Sequence, residues 1–227
     1  MVGFHPCGVS AFHPLRTCAV PCTPSLVDAG FARKAMSSQS AIFYLWDTWF
    51  VSWVIAAFWA DRPTGWPDFG SQALHWIVTL VGLYLLLGVY SDEHTSVGRL
   101  WSVAEPLGWT LLGLTAAGLT FCWWARLHLG RLWSGSVTRK LDQRIVETGP
   151  YGIVRHPIYT GLIIAAFATG ILRGTIVALC GSFFMTLGFW IKARLEERFL
   201  RKELGTETYD SYRRRVPMLV PFVSKFD

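Results

Sequence analysis

Two short segments, far apart in the chain, hold the residues best suited to chemistry. In the first, Arg155 and His156 stand directly before Pro157. Proline favours the first position of a helix, so the pattern predicts a helix that begins here with free backbone N–H groups and a positive dipole end. Such an end can hold an anionic group. The alternative is that Arg155 anchors lipid headgroups and Tyr159 belongs to an interfacial aromatic belt.

The second segment contains paired carboxylates, Glu196 and Glu197. They follow an apolar run on the same predicted helix, where two acids at the mouth of a membrane site can bind a cation or hydroxyl groups. The simpler interpretation is a solvated helix, in which the i,i+4 pairs Lys192–Glu196 and Glu197–Arg201 contribute about 0.2–0.5 kcal/mol each. Both interpretations place these residues beyond the end of a membrane span.

Apolar runs must position both segments. The chain has 227 residues, of which 52% are hydrophobic and 16% charged, against roughly 25% charged in an ordinary globular domain. At about 1.5 Å per residue, a helix of about twenty residues crosses a hydrocarbon core of about 30 Å. The sequence therefore predicts an all-α integral membrane protein with about five transmembrane helices, over residues 41–60, 73–90, 107–125, 158–171 and 175–191.

The last two predicted helices are separated only by Leu172, Arg173 and Gly174. So short an interruption predicts a tight helical hairpin. Pro217 and Pro221 then force a non-helical return after the final helix, around apolar residues that should pack on protein or membrane. We expect this C-terminal return to form a strap or lid on the cytosolic side.

The composition excludes several classes of protein. So much apolar surface must be buried, which excludes a disordered chain. The net charge of +6 does not indicate a nucleic-acid binder, because the basic residues fall between long apolar runs. Five cysteines are too sparse for a disulfide scaffold. The histidines and cysteines near the N-terminus fit no closed zinc pattern, so no metal site is predicted.

Residues 1–40 differ from the rest of the chain. They contain four prolines and show neither helical nor strand periodicity. We expect either a disordered tail or an annotation artefact in which translation begins at Met36. The predicted organisation is therefore this tail, three transmembrane helices over 41–125, and a core over 126–227 that comprises a cytosolic loop, the hairpin and the C-terminal tail.

Basic residues are distributed unevenly between the two sides of the predicted bundle. Of the 21 Lys and Arg residues, 16 fall on the side that holds loop 126–157 and the C-terminal tail. The positive-inside rule then places the C-terminus and this loop in the cytoplasm and the N-terminus outside.

Four pieces of the chain together resemble a known family. They are ARLHLGRLWS (125–134), GPYGIVRHPIYTG (149–161), EERFL (196–200) and YDSYRRRVPMLVPF (209–222). In this order and spacing they resemble the isoprenylcysteine carboxyl methyltransferase family, which belongs with the phospholipid methyltransferases. The resemblance covers about residues 120–222, whereas the first two predicted spans match only in hydropathy.

The resemblance implies a membrane methyltransferase that uses S-adenosylmethionine at a site facing the cytosol. By the same resemblance, His156 and Tyr159 would contact the cofactor, and Glu196 and Glu197 would form an acidic cofactor and catalytic motif, with Glu197 catalytic. The residues that would shape the pocket are Gly149, Pro150, Tyr151 and Arg155.

A basic residue ahead of the carboxylates is also implied. In eukaryotic members of the family an arginine there helps to orient the substrate carboxylate, and the candidates in this chain are Lys192 and Arg194. Lysine lacks the planar fork that grips a carboxylate at two points. The namesake acceptor is a prenylated cysteine carboxylate, so a carboxyl O-methyltransferase is the first expectation.

Other acceptors and other classes stay open at this stage. Small thiols, phospholipid amines and other prenylated metabolites are alternative acceptors, and the bilayer is the implied partner, with no nucleic acid and no obligate protein partner. The alternative functions are a membrane reductase of the sterol-reductase type, which would use a nicotinamide cofactor, and a non-enzymatic membrane protein such as a small transporter.

Overall fold

A computed structural model of the chain describes residues 36–58, 69–88, 99–130, 133 and 145–222. The tail that we expect to be disordered or mis-annotated is residues 1–40. Of these, residues 1–35 lie outside the described ranges. The same holds for most of the predicted cytosolic loop between residues 131 and 144.

The described residues form helices and contain no β-strand. The helices are α1 (Ser38–Ala57), α2 (Phe69–Leu83), α3 (Glu105–Leu129), α4 (Pro157–Arg173), α5 (Ile176–Leu204) and α6 (Thr206–Arg215). A π-helical turn, Tyr84–Gly88, extends α2, and a 3₁₀ turn, Gly149–Gly152, precedes α4. The predicted all-α class is confirmed.

Three of the described helices are long and apolar enough to cross a membrane, namely Ser38–Ala57, Glu105–Leu129 and Ile176–Leu204. Two shorter apolar helices, Gln72–Gly88 and Pro157–Arg173, account for the other two predicted spans. With 29 residues, α5 is about 43 Å long, which exceeds a hydrocarbon core of about 30 Å. Its C-terminal part therefore extends beyond the bilayer, and this part carries Glu196 and Glu197.

The predicted hairpin is present, and local residue chemistry explains its turn. Gly174 ends α4 in the left-handed conformation with φ of 68°, which glycine adopts without steric penalty. Thr175 then caps α5, because its hydroxyl oxygen accepts a 3.1 Å hydrogen bond from the backbone N–H of Ala178. One residue thus stops the first arm and the next starts the second.

Glycines allow the helices to pack with their backbones in contact. Gly118 of α3 lies against Gly161 of α4, and Gly82 of α2 lies against Gly181 of α5, so closely that an added Cβ at any of the four would meet the facing backbone. Small residues at such crossings are typical of membrane helix packing. The two crossings hold α3 on α4 and α2 on α5. The tight turn between α4 and α5 brings the start of α4 and the C-terminal part of α5 to one end of the bundle.

Candidate active site

The segment before α4 is fastened by the C-terminal strap, Val216–Phe222. The backbone N–H groups of Arg155 and His156 donate hydrogen bonds to the carbonyl oxygens of Pro217 and Met218, at 2.8 and 3.1 Å. The Thr160 hydroxyl donates to the Leu219 carbonyl at 2.6 Å. These bonds confirm that the apolar return packs on protein, and they fix the backbone that presents the Arg155 and His156 side chains.

Arg155 and Glu197 meet although 42 positions separate them. The Arg155 Nε donates to the Glu197 carboxylate at 2.8 Å, with the two side chains 1% and 7% exposed. The same guanidinium donates from Nη1 to the carbonyl oxygens of Arg213 and Val216. The two segments, which the resemblance assigns to one site, therefore meet, and Arg155 ties α5 to α6 and to the strap.

His156 lies between the two carboxylates of α5. Its Nε2 is 3.2 Å from Glu197 and its Nδ1 is 3.5 Å from Glu196. Burial lowers the pKa of His156. The hydrogen bonds to Glu196 and Glu197 and the charges of these carboxylates raise it by more than burial lowers it, so the net pKa is above the ordinary value. The imidazolium form is thus favoured, and it joins both acids to the start of α4.

Glu196 is the more accessible of the two acids, with its side chain 21% exposed. The Tyr159 hydroxyl donates to it at 2.7 Å, and the Lys192 ammonium lies 3.9 Å from the same oxygen. Three aromatic rings stack beside it, because Tyr159 lies parallel to His156 and to Phe189 with centroids 5.4 Å apart in each case. A carboxylate next to an aromatic stack is suited to a cationic ligand.

The glycine–proline–tyrosine turn forms one side of this region. Gly149 has φ of 59° and lies against the ring of His128 at the end of α3. Pro150 and Tyr151 are buried, and the Tyr151 carbonyl accepts a 2.8 Å hydrogen bond from the Tyr212 hydroxyl of α6. The three residues expected to shape a pocket therefore link α3, α6 and the segment before α4.

The structure separates the two basic candidates, Lys192 and Arg194. Lys192 is buried beside Glu196, 5.4 Å from the Tyr159 ring and 5.8 Å from the Trp76 ring. Arg194 points to the other side of α5, where it lies 5.4 Å from the Trp190 ring. There it lines the arginine cleft, a cavity of about 450 Å³ formed by Trp190, Ile191, Arg194, Glu197, Arg198, Arg201, Tyr209 and Arg213.

Sequence reasoning missed three residues near the acids. Phe189 ends the aromatic stack, and Trp76 of α2 faces Lys192. His75, the neighbour of Trp76, is only 2% exposed. The available signal was a histidine within an apolar run, since an ionisable residue in a membrane helix is by default a candidate for function.

Comparison with known proteins agrees with this arrangement. Residues 111–202 match the profile of the isoprenylcysteine carboxyl methyltransferase (ICMT) family. This part of the chain is similar to that family. The matched ICMT segment contains most of α3, all of α4 and nearly all of α5, and both carboxylates together with Arg155, His156 and Tyr159.

Individual relatives include enzymes of two kinds. The chain is 39% identical over 75 residues to a methanethiol S-methyltransferase of Crocosphaera subtropica, covering 33% of this chain and 28% of the relative. It is 35% identical over 86 residues to a protein-S-isoprenylcysteine O-methyltransferase of Schizosaccharomyces pombe, covering 37% and 36%. These alignments thus cover about a third of each relative's length.

A longer alignment is found with a protein of a different name. The chain is 28% identical over 156 residues to the nickel-cobalt-cadmium resistance protein NccN of Alcaligenes xylosoxydans xylosoxydans, which covers 66% of this chain and 63% of the relative. Proteins similar to this chain thus carry names that describe different roles, and the chemistry has to be argued from the site.

Proposed function

We propose that this protein is a membrane methyltransferase that uses S-adenosylmethionine and acts on a lipid-like or small apolar acceptor. One observation carries the proposal: the family segment places two adjacent carboxylates, Glu196 and Glu197, against Arg155, His156 and Tyr159 at one end of the bundle. The names of the relatives, one an O-methyltransferase and one an S-methyltransferase, support the reaction class.

The residues present fit the proposed cofactor. S-adenosylmethionine, when bound, supplies an electrophilic methyl group on a positively charged sulfur. The partly exposed carboxylate of Glu196 and the stacked rings of Tyr159 and Phe189 suit a cation. In this proposal His156 and Tyr159 hold the Glu196 carboxylate in place, and Glu197 fixes His156 in turn.

The turn Gly149–Tyr151 and Arg155 complete the proposed cofactor site from the side of α3 and α6. Pro150 and Tyr151 are buried there, and Arg155 is held by Glu197. In this proposal the turn and Arg155 hold the reacting groups in position. This matters because displacement of a reacting group by about 1 Å can lower the rate about 10²-fold.

The position of the site favours an apolar acceptor. The acids lie where α5 extends beyond its apolar part, so an apolar acceptor can arrive from lipid and the cofactor from water. The uneven distribution of Lys and Arg supports a cytosolic location for this end and an outside location for the N-terminus. A carboxylate acceptor, as in a carboxyl O-methyltransferase, and a thiol acceptor are the two candidates suggested by the relatives' names.

The reductase alternative is not favoured, since the enzymes named among these relatives are methyltransferases. Calorimetry with detergent-purified full-length protein tests the proposal directly, with S-adenosylmethionine and NADPH titrated separately. We expect binding of S-adenosylmethionine that Glu197→Gln and Glu196→Gln weaken at least tenfold. Thermal unfolding of each variant identifies any loss that arises from misfolding.

Two outcomes would contradict the proposal. Binding of NADPH alone would move the protein to the reductases. Binding of neither ligand by folded protein would identify a member of the family without this chemistry, which is the non-enzymatic alternative.

A further inference from the structure

His75 of α2 has no evident role in the packing of the bundle, although it is buried. Its side chain is 2% exposed, and neither ring nitrogen has a hydrogen-bond partner among the described residues. A buried polar group without a partner costs free energy, so native structures pair nearly all of them. Two unpaired nitrogens on one ring therefore indicate that something other than the described residues satisfies them.

The packing of α2 on α5 shows where His75 lies. Gly82 of α2 lies against Gly181 and Met185 of α5, and one turn earlier Thr79 lies against Gly188. The helices are antiparallel, so the next opposing pair along this face is His75 and Lys192.

The surroundings of His75 belong to the proposed active site. Trp76 and Tyr159 each present a ring to the Lys192 ammonium, and Lys192 neighbours Glu196. The titratable groups near the ring are thus Lys192 and Glu196 from α5, with Tyr159 of α4 beyond Lys192. His75 reaches this region from α2, which packs along α5.

We propose that His75 is the general base that takes a proton from the methyl acceptor, and that the acceptor is a small apolar thiol. This inference rests on the proposed methyltransferase function and deepens it. It assigns a residue from the part of the chain that precedes the matched ICMT segment.

The class of acceptor follows from the neighbours of His75. A carboxylate is already ionised at neutral pH and needs no base, and it is gripped better by a guanidinium fork than by Lys192. An amine reacts as a neutral nucleophile, so the Lys192 ammonium has no anion to stabilise in its reaction. A thiol is largely protonated at neutral pH, becomes nucleophilic only as the thiolate, and forms an anion that Lys192 stabilises.

The step balances as follows in chemical terms. A neutral His75 nitrogen accepts the thiol proton, and the thiolate sulfur forms a bond to the methyl carbon. The bond between that carbon and the sulfonium sulfur breaks, and its electron pair stays on that sulfur. The products are a methyl thioether, S-adenosylhomocysteine and one proton, which His75 releases to water.

Two thiols of different acidity provide the test. Ethanethiol needs a base at neutral pH, whereas thiophenol is largely ionised without one. We expect His75→Gln to lower the methylation rate of ethanethiol by about 10²-fold and that of thiophenol by less than about threefold. Thr79→Val, which changes the same face of α2 one turn away, should leave the ratio of the two rates unchanged.

A second readout does not depend on turnover. In the complex with S-adenosylhomocysteine, ethanethiol bound to the wild type should show the ultraviolet absorbance of a thiolate, and His75→Gln should lose this signal. Equal losses with both thiols would indicate a merely structural role, and an unchanged ethanethiol rate would also overturn the assignment.

Failure of this inference can be told apart from failure of the proposed function. Wild-type protein that binds S-adenosylmethionine but methylates neither thiol would refute the thiol acceptor and leave the methyltransferase standing. Protein that does not bind S-adenosylmethionine would refute both.

Discussion

The two sides of the C-terminal part of α5 differ in how their charges are held. On the buried side, Glu196 is surrounded by Lys192, Tyr159 and His156, all in direct contact with it or close to it. On the opposite side, the arginine cleft is open, and Arg198 and Arg201 on its rim are exposed. One helix thus carries a buried polar cluster and an exposed basic surface a few residues apart.

This difference shows why residue type alone does not identify a site. Arginine has the better chemistry for gripping a carboxylate, but Arg194 faces the cleft and its described contact is with Trp190. Lys192 has the poorer chemistry but is buried beside Glu196. We therefore assign Lys192, and not Arg194, to the proposed reaction.

The largest expected effect is on stability. Arg155→Ala should lower the free energy of unfolding by about 3–5 kcal/mol, because it leaves Glu197 buried without its cation and removes the donor to two carbonyl groups near the strap. Arg198→Ala in the cleft should change it by less than about 0.5 kcal/mol. Thermal and denaturant unfolding measure both variants. Equal losses of stability in Arg155→Ala and Arg198→Ala would show that the two sides do not differ as described.

Lys192 and Arg194 form the next comparison. Lys192→Ala should lower the rate of methyl transfer by more than about tenfold, because the ammonium neighbours both the Glu196 carboxylate and the proposed acceptor. Arg194→Ala should change the rate by less than about twofold. Steady-state kinetics measures the rate of methyl transfer in both variants. A larger loss of rate from Arg194→Ala than from Lys192→Ala would place the acceptor in the arginine cleft instead.

A tyrosine pair sharpens the comparison within the site. Tyr159→Phe removes a hydrogen bond to a charged group, which is worth about 1.5–3 kcal/mol, and should weaken S-adenosylmethionine binding about tenfold or more by calorimetry. Tyr212→Phe removes the bond to the Tyr151 carbonyl and should alter affinity by less than about threefold. Similar losses in both would mean that the whole region, and not the Glu196 contact, sets the affinity.

The smallest expected effect is a pH dependence confined to the buried side. Because the folded state raises the pKa of His156, its protonation stabilises the fold fully below the ordinary pKa of histidine, about 6.5, and this contribution is lost as the pH rises through the raised value. Unfolding temperatures should therefore fall from about pH 6.5 upward in the wild type. His156→Gln should flatten that decline, and an unchanged pH profile would show that His156 is not charged.

Much of the fold was predictable because it depends on local chemistry and on composition. The apolar runs located all five apolar helices, and Gly174 with Thr175 marked the hairpin turn. The family resemblance also assigned Arg155 and Glu197 to one site, and their side chains are in contact. The contribution of α2 to the site was not predicted, because His75 and Trp76 lie in an apolar run that is typical of a lipid-facing helix.

The sequence by itself determined the class of the protein, because hydropathy and helix-ending residues act over a few positions and need no partner. It also supplied the motif residues of the site. Only the tertiary structure decided which of them meet. The rotation of α5 about its axis turns the face with Lys192 and Glu196 toward Tyr159 of α4. It leaves Arg194 on another face, beside Trp190, and the glycine crossing with α2 sets the register that places His75 opposite Lys192. Helix rotation and register depend on how whole surfaces pack, and no local pattern in the chain encodes them.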